Sequence, residues 1–283
     1  MPASSYIKNL KGPPCMLAAA ILWSFGGLFI GFIPWGALSI NGMRSLLAAA
    51  VFIIYRRSVK VRLTNGNVAA ALCLCLTSTL IVFAYQLTTA AAAILLHFTS
   101  PVFIILLQFV FYGKKPRPSE AVAVMITILG MVLFFADSLE TGNILGNILA
   151  ICSGFAAAGM FLCNKRQDTI PEESLLLGFF ICAAIGMPSV FLNVTADPFA
   201  WGSIIFLGII QIGLAYLFFS IGIKKTSALL ACIITALEPV LNPLWVALVT
   251  GEVPGPYAIA GGVIIIMTVA GFNVWTERKT NIL

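Results

Sequence analysis

Three ionisable side chains, Arg44, His97 and Glu238, lie within stretches of sequence that are otherwise apolar. A charged group is costly in such a setting, so it generally faces a protein-lined or wet interior and serves binding or proton movement. The Glu238 carboxyl could hold a substrate or bind and release a proton. The His97 imidazole could relay a proton or contact a substrate.

Each of the three residues also has a structural interpretation. Opposite charges removed from water usually pair, so Glu238 and Arg44 could form an ion pair that serves only the fold. Arg44 could instead extend its long side chain toward a membrane surface, and His97 could be a hydrogen-bonded core residue. The sequence leaves both interpretations open for Glu238 and His97, and it favours a structural role for Arg44.

Further polar residues share a helical spacing with Glu238. Thr235, Glu238, Asn242 and Trp245 follow one another at intervals of three, four and three residues. This spacing places them on one face of a helix. Because lipid would not accept such a face, we expect it to point into the interior of the protein.

Two prolines stand beside these polar positions, since Ser100 and Pro101 follow His97, and Pro239 follows Glu238. A proline removes one helical hydrogen bond and bends the helix, so bends are expected here. Aromatic residues and Gln211 could line a cavity, although single aromatics also serve as packing. The candidates for substrate binding or proton coupling are Glu238, His97, Trp23, Gln211, Asn242, Thr235, Ser100 and Tyr216, with Arg44, Pro101 and Pro239 assigned to structure or charge pairing.

The composition identifies the elements that must position these residues. The chain has 283 residues, 60% of them hydrophobic and 9% charged, which leaves too little polar surface for a soluble protein. A bilayer-spanning helix needs about 20 apolar residues. We therefore predict an all-α integral membrane protein with ten transmembrane helices, at residues 14–33, 36–55, 67–87, 89–112, 119–136, 143–163, 173–193, 199–223, 226–250 and 256–275.

The positions of the basic residues predict the orientation. The net charge is +6, but the basic residues form small groups in alternate loops rather than one patch, so a nucleic-acid partner is not expected. All of the 16 basic residues except Arg44 fall on one side. Basic residues in short loops resist translocation. We expect both termini to be cytoplasmic, in a bacterial inner or plasma membrane.

The chain also matches itself. A shift of 138 residues places Thr89-Ala90 on Ser227-Ala228 and Pro101-Val102 on Pro239-Val240, and a shift of 132 residues places Trp23 on Phe155. Two five-helix repeats are therefore expected, at residues 14–136 and 143–275. Because five is odd, the second repeat should enter the membrane inverted, and the two should surround a central cavity that opens to each side in turn.

The chain resembles the ten-helix EamA-type members of the drug/metabolite transporter superfamily over residues 14–275. The resemblance rests on Leu22-Trp23, on Arg44 with the apolar run after it, and on Leu237 to Val240 with the Thr226 to Leu230 stretch before them. The Gly251-Glu252 turn matches as well. Membership implies transport of small metabolites, typically export of amino acids or related compounds, through a cavity between the halves.

The expected function is a secondary carrier that exports a small organic metabolite, such as an amino acid or a related amine or drug-like compound, in exchange for protons at Glu238 or His97. The alternative is uncoupled uptake or exchange of a cationic or zwitterionic metabolite. The seven cysteines lie in apolar runs without metal-ligand spacing, and one histidine cannot form a multi-histidine site. No enzyme activity, cofactor or metal is expected, and the partners are substrate, protons and lipid, for a monomer or homodimer.

Overall fold

The computed structural model describes residues 11–138, 143–193, 197–250 and 255–280, and the regular elements within these ranges are helical. Nine of the described helices are long and apolar enough to cross a membrane, and Pro118–Phe134 is a shorter apolar helix. The prediction of an all-helical membrane protein is confirmed. We number the ten rods α1 (Gly12–Trp23 and Gly26–Ile30), α2 (Ala37–Arg56), α3 (Asn65–Leu87), α4 (Ala90–His97 and Ser100–Tyr112), α5 (Pro118–Phe134), α6 (Ile144–Cys163), α7 (Pro171–Asn193), α8 (Pro198–Phe206, Leu207–Leu214 and Ala215–Lys225), α9 (Ala228–Thr235 and Leu237–Thr250) and α10 (Pro256–Thr280).

Three rods that the sequence predicts as continuous are interrupted. The breaks follow Trp23 in α1, His97 in α4 and Thr235 in α9, and the middle segment of α8 is a π-helix. Pro101 and Pro239 lie in the first turn of the segment after each break, where a missing backbone N–H costs little. The prolines therefore start new segments rather than bend a continuous helix, and the regular spacing from Thr235 to Trp245 is interrupted at its beginning.

The rods pack in pairs that have counterparts when α1–α5 are compared with α6–α10. Helix α3 packs along α6, and α8 packs along α1. In the same way, the contact of α7 with α3 corresponds to the contact of α2 with α8. The contact of α4 with α6 corresponds to the contact of α9 with α1. The remaining large contacts are α2 with α7 and α5 with α10. These are the pairs that would map onto themselves if the two halves changed places.

A close crossing joins α2 to α7. A Cβ atom on Gly42 would lie 2.7 Å from the Cα atom of Gly186. Backbones approach this closely only where both side chains are absent, as is common between membrane helices. The crossing joins one helix from each half.

The basic connection between α2 and α3 meets the one between α6 and α7 at one end of the molecule, which we call the basic end. The Glu173 carboxylate, at the start of α7, accepts from Arg56 Nη2 at 3.2 Å, from the Arg62 backbone N–H at 2.9 Å and from Asn67 Nδ2 at 3.2 Å. We call these four residues the Glu173 network. The charge pattern placed both connections on one side, and the structure brings them together. Lys8, Glu140 and the Gly251-Glu252 turn lie outside the described residues.

Candidate functional site

Glu238 begins the second segment of α9, directly after the break in that rod. Its side chain is half-buried. Among the residues that the structure describes, no hydrogen bond or ion pair engages its carboxylate. A half-buried carboxylate that has no described partner is available to a ligand or a proton.

Arg44 lies on α2 and is anchored within its own helix. Its Nε and Nη2 atoms donate to Asn41 Oδ1 at 3.3 and 3.1 Å. The same oxygen accepts from Ser78 Oγ of α3 at 2.6 Å. The described ion pairs do not include one between Arg44 and Glu238. The guanidinium is therefore held by a neutral amide, and its charge has no carboxylate partner in direct contact.

The two opposite charges nevertheless belong to one electrostatic group. Arg44 and Glu238 interact electrostatically with each other, and both interact with the hydroxyls of Tyr85 on α3 and Tyr216 on α8. Arg44, Tyr216 and Glu238 are half-buried, whereas Tyr85 is 44% exposed. They come from four rods, two in each half, so the group that they form lies between the halves.

Aromatic rings form one wall beside Tyr216. The Trp23 ring meets the Tyr216 ring edge-on, with 4.8 Å between centroids. Phe179 and Phe219 contact Tyr216 at 5.4 and 5.7 Å. Trp23 is only 7% exposed, so it supports the wall from behind. Tyr216 is the member of this group that contacts aromatic rings and also interacts electrostatically with Arg44 and Glu238.

His97 has its own partners at the end of the first segment of α4. Its Nδ1 atom lies 3.0 Å from Ser153 Oγ on α6, and Ser153 Oγ donates to the Thr77 carbonyl on α3 at 2.9 Å. Within the described chain, no hydrogen bond joins His97 to Glu238 or Arg44. His97 thus links the break in α4 to α6, in the manner of the hydrogen-bonded core histidine that the sequence left open.

Ser100 and Thr235 turn toward Cys232 rather than toward Glu238. Ser100 Oγ lies 3.2 Å from Cys232 Sγ, and Thr235 Oγ1 donates to the Cys232 carbonyl at 2.7 Å. Both side chains are buried. The Ser100 contact joins the break in α4 to the first segment of α9 at Cys232, whereas the Thr235 bond lies within that segment.

Gln211, Asn242 and Trp245 converge on the break in α1. Gln211, in the π-helical segment of α8, donates from Nε2 to the Trp23 carbonyl at 3.0 Å. Asn242 Nδ2 donates to the Ser24 carbonyl at 2.9 Å, and Trp245 Nε1 donates to Ser24 Oγ at 2.7 Å. Backbone groups at a helix break must find partners. Side chains from α8 and α9 supply them here.

The structure adds residues that the sequence argument did not select. Asn41 accepts from Arg44 and from Ser78, and Ser153 bonds His97. Asn41 stands three residues before Arg44, a spacing that places both on one helix face, so a search for polar as well as ionisable residues would have found it. Ser78 and Ser153 lie on other rods, and no local spacing connects them to Arg44 or His97.

Comparison with protein-family models gives one family for both halves of the chain. The model described as the EamA-like transporter family matches residues 10–136 and matches again at residues 144–274. The two matches together cover most of the sequence.

Similar proteins occur in bacteria and in humans. The chain is 25% identical over 260 residues to "Uncharacterized transporter YwfM" of Bacillus subtilis, covering 87% of this chain and 88% of that protein. It is 23% identical to "Pseudopaline exporter CntI" of Pseudomonas aeruginosa, covering 78% of each chain. It is also 23% identical to human "Solute carrier family 35 member G1", covering 90% of this chain and 76% of that protein.

A solved crystal structure shares the fold. It superimposes with a TM-score of 0.77 at 19% identity, and the match covers 94% of this chain and 98% of the other. At that identity the likeness concerns the arrangement of the helices alone.

Proposed function

The chain belongs to the EamA-like transporter family, and we propose that it exports a small zwitterionic metabolite of the amino-acid kind as a secondary carrier. The family and the transporter names of the relatives point to a transporter and not to an enzyme, and the resemblance stated from the sequence is confirmed. The proposal rests on one observation: Arg44 and Glu238 interact electrostatically, yet no described ion pair joins them.

A zwitterion complements this arrangement. Its ammonium would meet the Glu238 carboxylate, which accepts from no described donor. Its carboxylate would meet the Arg44 guanidinium, whose planar set of donors suits carboxylates. Tyr85 and Tyr216 could add hydrogen bonds from either side. A ligand that compensates both charges at once would offset the free-energy cost of burying them.

Alternating exposure of the site is the proposed mechanism. The self-match of the sequence and the paired packing, such as α3 on α6 and α8 on α1, support two inverted repeats, at residues 14–136 and 143–275. Inverted repeats allow a carrier to exchange the conformations of its halves around a fixed central site. We further propose that the basic end is cytoplasmic, because basic loops resist translocation.

Export coupled to protons is the preferred direction and energy source. One relative is named an exporter, which supports outward movement. Glu238 is the preferred proton site because it is unpartnered, whereas His97 is already bonded to Ser153. The alternative is exchange without protons, in which Glu238 recognises only the ammonium of the substrate.

The test compares three matched compounds in proteoliposomes: an amino acid, the amine that lacks its carboxyl, and the acid that lacks its amine. Wild-type protein should transport the amino acid best. Arg44→Gln should reduce the preference for the amino acid over the amine at least tenfold, about 1.4 kcal/mol of discrimination. Glu238→Gln should abolish transport of both. The controls are Arg57→Gln and Glu172→Gln, which change the same charges at the basic end.

Two outcomes would overturn parts of the proposal. If Arg44→Gln keeps the full preference for the amino acid, the zwitterion assignment is wrong.

A pH gradient should accelerate wild-type transport but not transport by any Glu238→Gln protein that retains activity. Equal wild-type rates with and without the gradient would establish the uncoupled alternative. His97→Ala tests the remaining candidate: a weakened apparent substrate affinity would place His97 at the site, and an unchanged transport curve would leave it the core residue that its bond to Ser153 indicates.

A further inference from the structure

A cleft of about 720 Å³ opens at the basic end, away from the proposed substrate site. It lies where the ends of α4 and α6 meet the start of α9. None of Arg44, Glu238, Tyr85 and Tyr216 lines it. The residues that do include the cations Lys114, Lys165 and Arg166, the acid Asp168, and the apolar or aromatic Leu162, Ala228 and Tyr112.

Two ammonium groups beside this cleft lack a carboxylate partner. Lys165 Nζ donates to the Lys224 carbonyl at 3.1 Å, and Lys224 Nζ donates to the Arg166 carbonyl at 2.6 Å. Neither lysine takes part in a described ion pair, whereas Arg166 pairs with Asp168 and Lys114 pairs with Glu120. Burial lowers the pKa of the Lys165 ammonium, and the charge of Lys224 lowers it further. Two positive charges are therefore held together without a carboxylate in direct contact, although Glu172 and Asp168 act on Lys224 from a greater distance.

The other side of the cleft continues into apolar surface. Leu162 and Ala228 are buried in its wall, and Tyr112 is exposed at its edge. The neighbouring turns of α4 expose Phe109 and Phe111, 49% and 73% accessible, as expected of side chains that face hydrocarbon. A soluble anion would use the charges but not this surface. A molecule with an anionic head and apolar chains would use both.

We propose that this cleft binds an anionic phospholipid from the membrane leaflet at the basic end. The phosphate would lie between the ammonium groups of Lys165 and Lys224, and the acyl chains would follow the exposed face of α4. The site would join the connection between α6 and α7 to the one between α8 and α9. Lipid composition would then affect how those connections pack.

The test uses the full chain, purified in a neutral detergent and freed of lipid. Phosphatidylglycerol and phosphatidylcholine with identical acyl chains are titrated, and bound lipid is counted by native mass spectrometry. We expect preferential binding of phosphatidylglycerol. Each basic residue near an anionic membrane surface contributes about 1 kcal/mol, so Lys165→Gln with Lys224→Gln should weaken phosphatidylglycerol binding by about 30-fold and leave phosphatidylcholine binding unchanged.

The matched control is Lys60→Gln with Lys115→Gln, which removes the same charge from exposed positions that do not line the cleft. If the test variant does not fold, Lys224→Gln alone, at an exposed side chain, should still weaken binding by about fivefold. Equal affinity for the two lipids, or an equal loss in the control, would overturn the proposal. So would full competition by soluble glycerol phosphate, which would show that the site takes the free anion.

Discussion

Helices α1 and α6 occupy corresponding places in the two halves, yet one is interrupted and the other is continuous. The match that aligns Trp23 with Phe155 also aligns Ser24-Phe25-Gly26 with three consecutive alanines, residues 156–158. Alanine is the strongest helix former, and glycine and serine are weaker. The interruption in α1 thus has a local cause in sequence, and α6 lacks it.

The two helices also contact the centre of the protein by different means. The break in α1 is held by hydrogen bonds from Gln211, Asn242 and Trp245. Helix α6 instead approaches the break in α4 so closely that a Cβ atom on Gly154 would lie 2.5 Å from the His97 carbonyl oxygen. Polar side chains hold the break in α1, whereas the absence of a side chain at Gly154 allows α6 to approach the break in α4. The two contacts should therefore respond to different substitutions.

Gly154→Ala should have the largest effect on this comparison. The added methyl would meet backbone atoms that have no freedom to turn away, so the α4 segments must shift. Overpacking of this kind costs about 3 kcal/mol at the upper end of its usual range. Denaturant unfolding in detergent measures the loss. Gly202→Ala, where nothing lies within 4 Å of the added atom, is the control and should not destabilise the protein.

Gln211→Leu should come second. It leaves the buried Trp23 carbonyl without its donor, which costs about 2 kcal/mol. The cost is reduced because the Gln211 Oε1 atom, buried without a partner in the described structure, is removed as well. The same unfolding measurement applies, with the exposed Gln167→Leu as control. A stability equal to wild type would mean that the break in α1 does not depend on α8.

Trp245→Phe should have the smallest effect of the three. Phenylalanine keeps the stacked contact with Phe25, whose ring centroid lies 4.7 Å away, and loses only the hydrogen bond to Ser24 Oγ. One such bond contributes about 1 kcal/mol. A loss of more than about 3 kcal/mol would show that the indole supports more than this bond.

Much of the fold could be predicted because hydrophobic length is a local property. The ten apolar runs correspond to the ten rods, although α1 ends at Ile30 and α10 continues to Thr280. The side chains that hold the break in α1 could not be predicted in the same way, because Gln211 and Asn242 lie far from Trp23 and Ser24 in sequence and meet them only in the fold. Helix rise gives the depth of Arg44 and Glu238 but not their lateral separation, so their pairing could not be decided before the structure.

Glu173 receives donors from the end of α2 and the start of α3 while it begins α7 itself. Moving any one of these helices away at the basic end would remove a donor from the Glu173 carboxylate, which is 7% exposed. Leaving a buried charge without its partner costs far more free energy than sliding apolar surfaces past each other. We therefore expect α2, α3 and α7 to move together as a rigid frame during transport, while the interrupted rods α1, α4 and α9 change conformation. A covalent link within that frame would then be compatible with a working cycle.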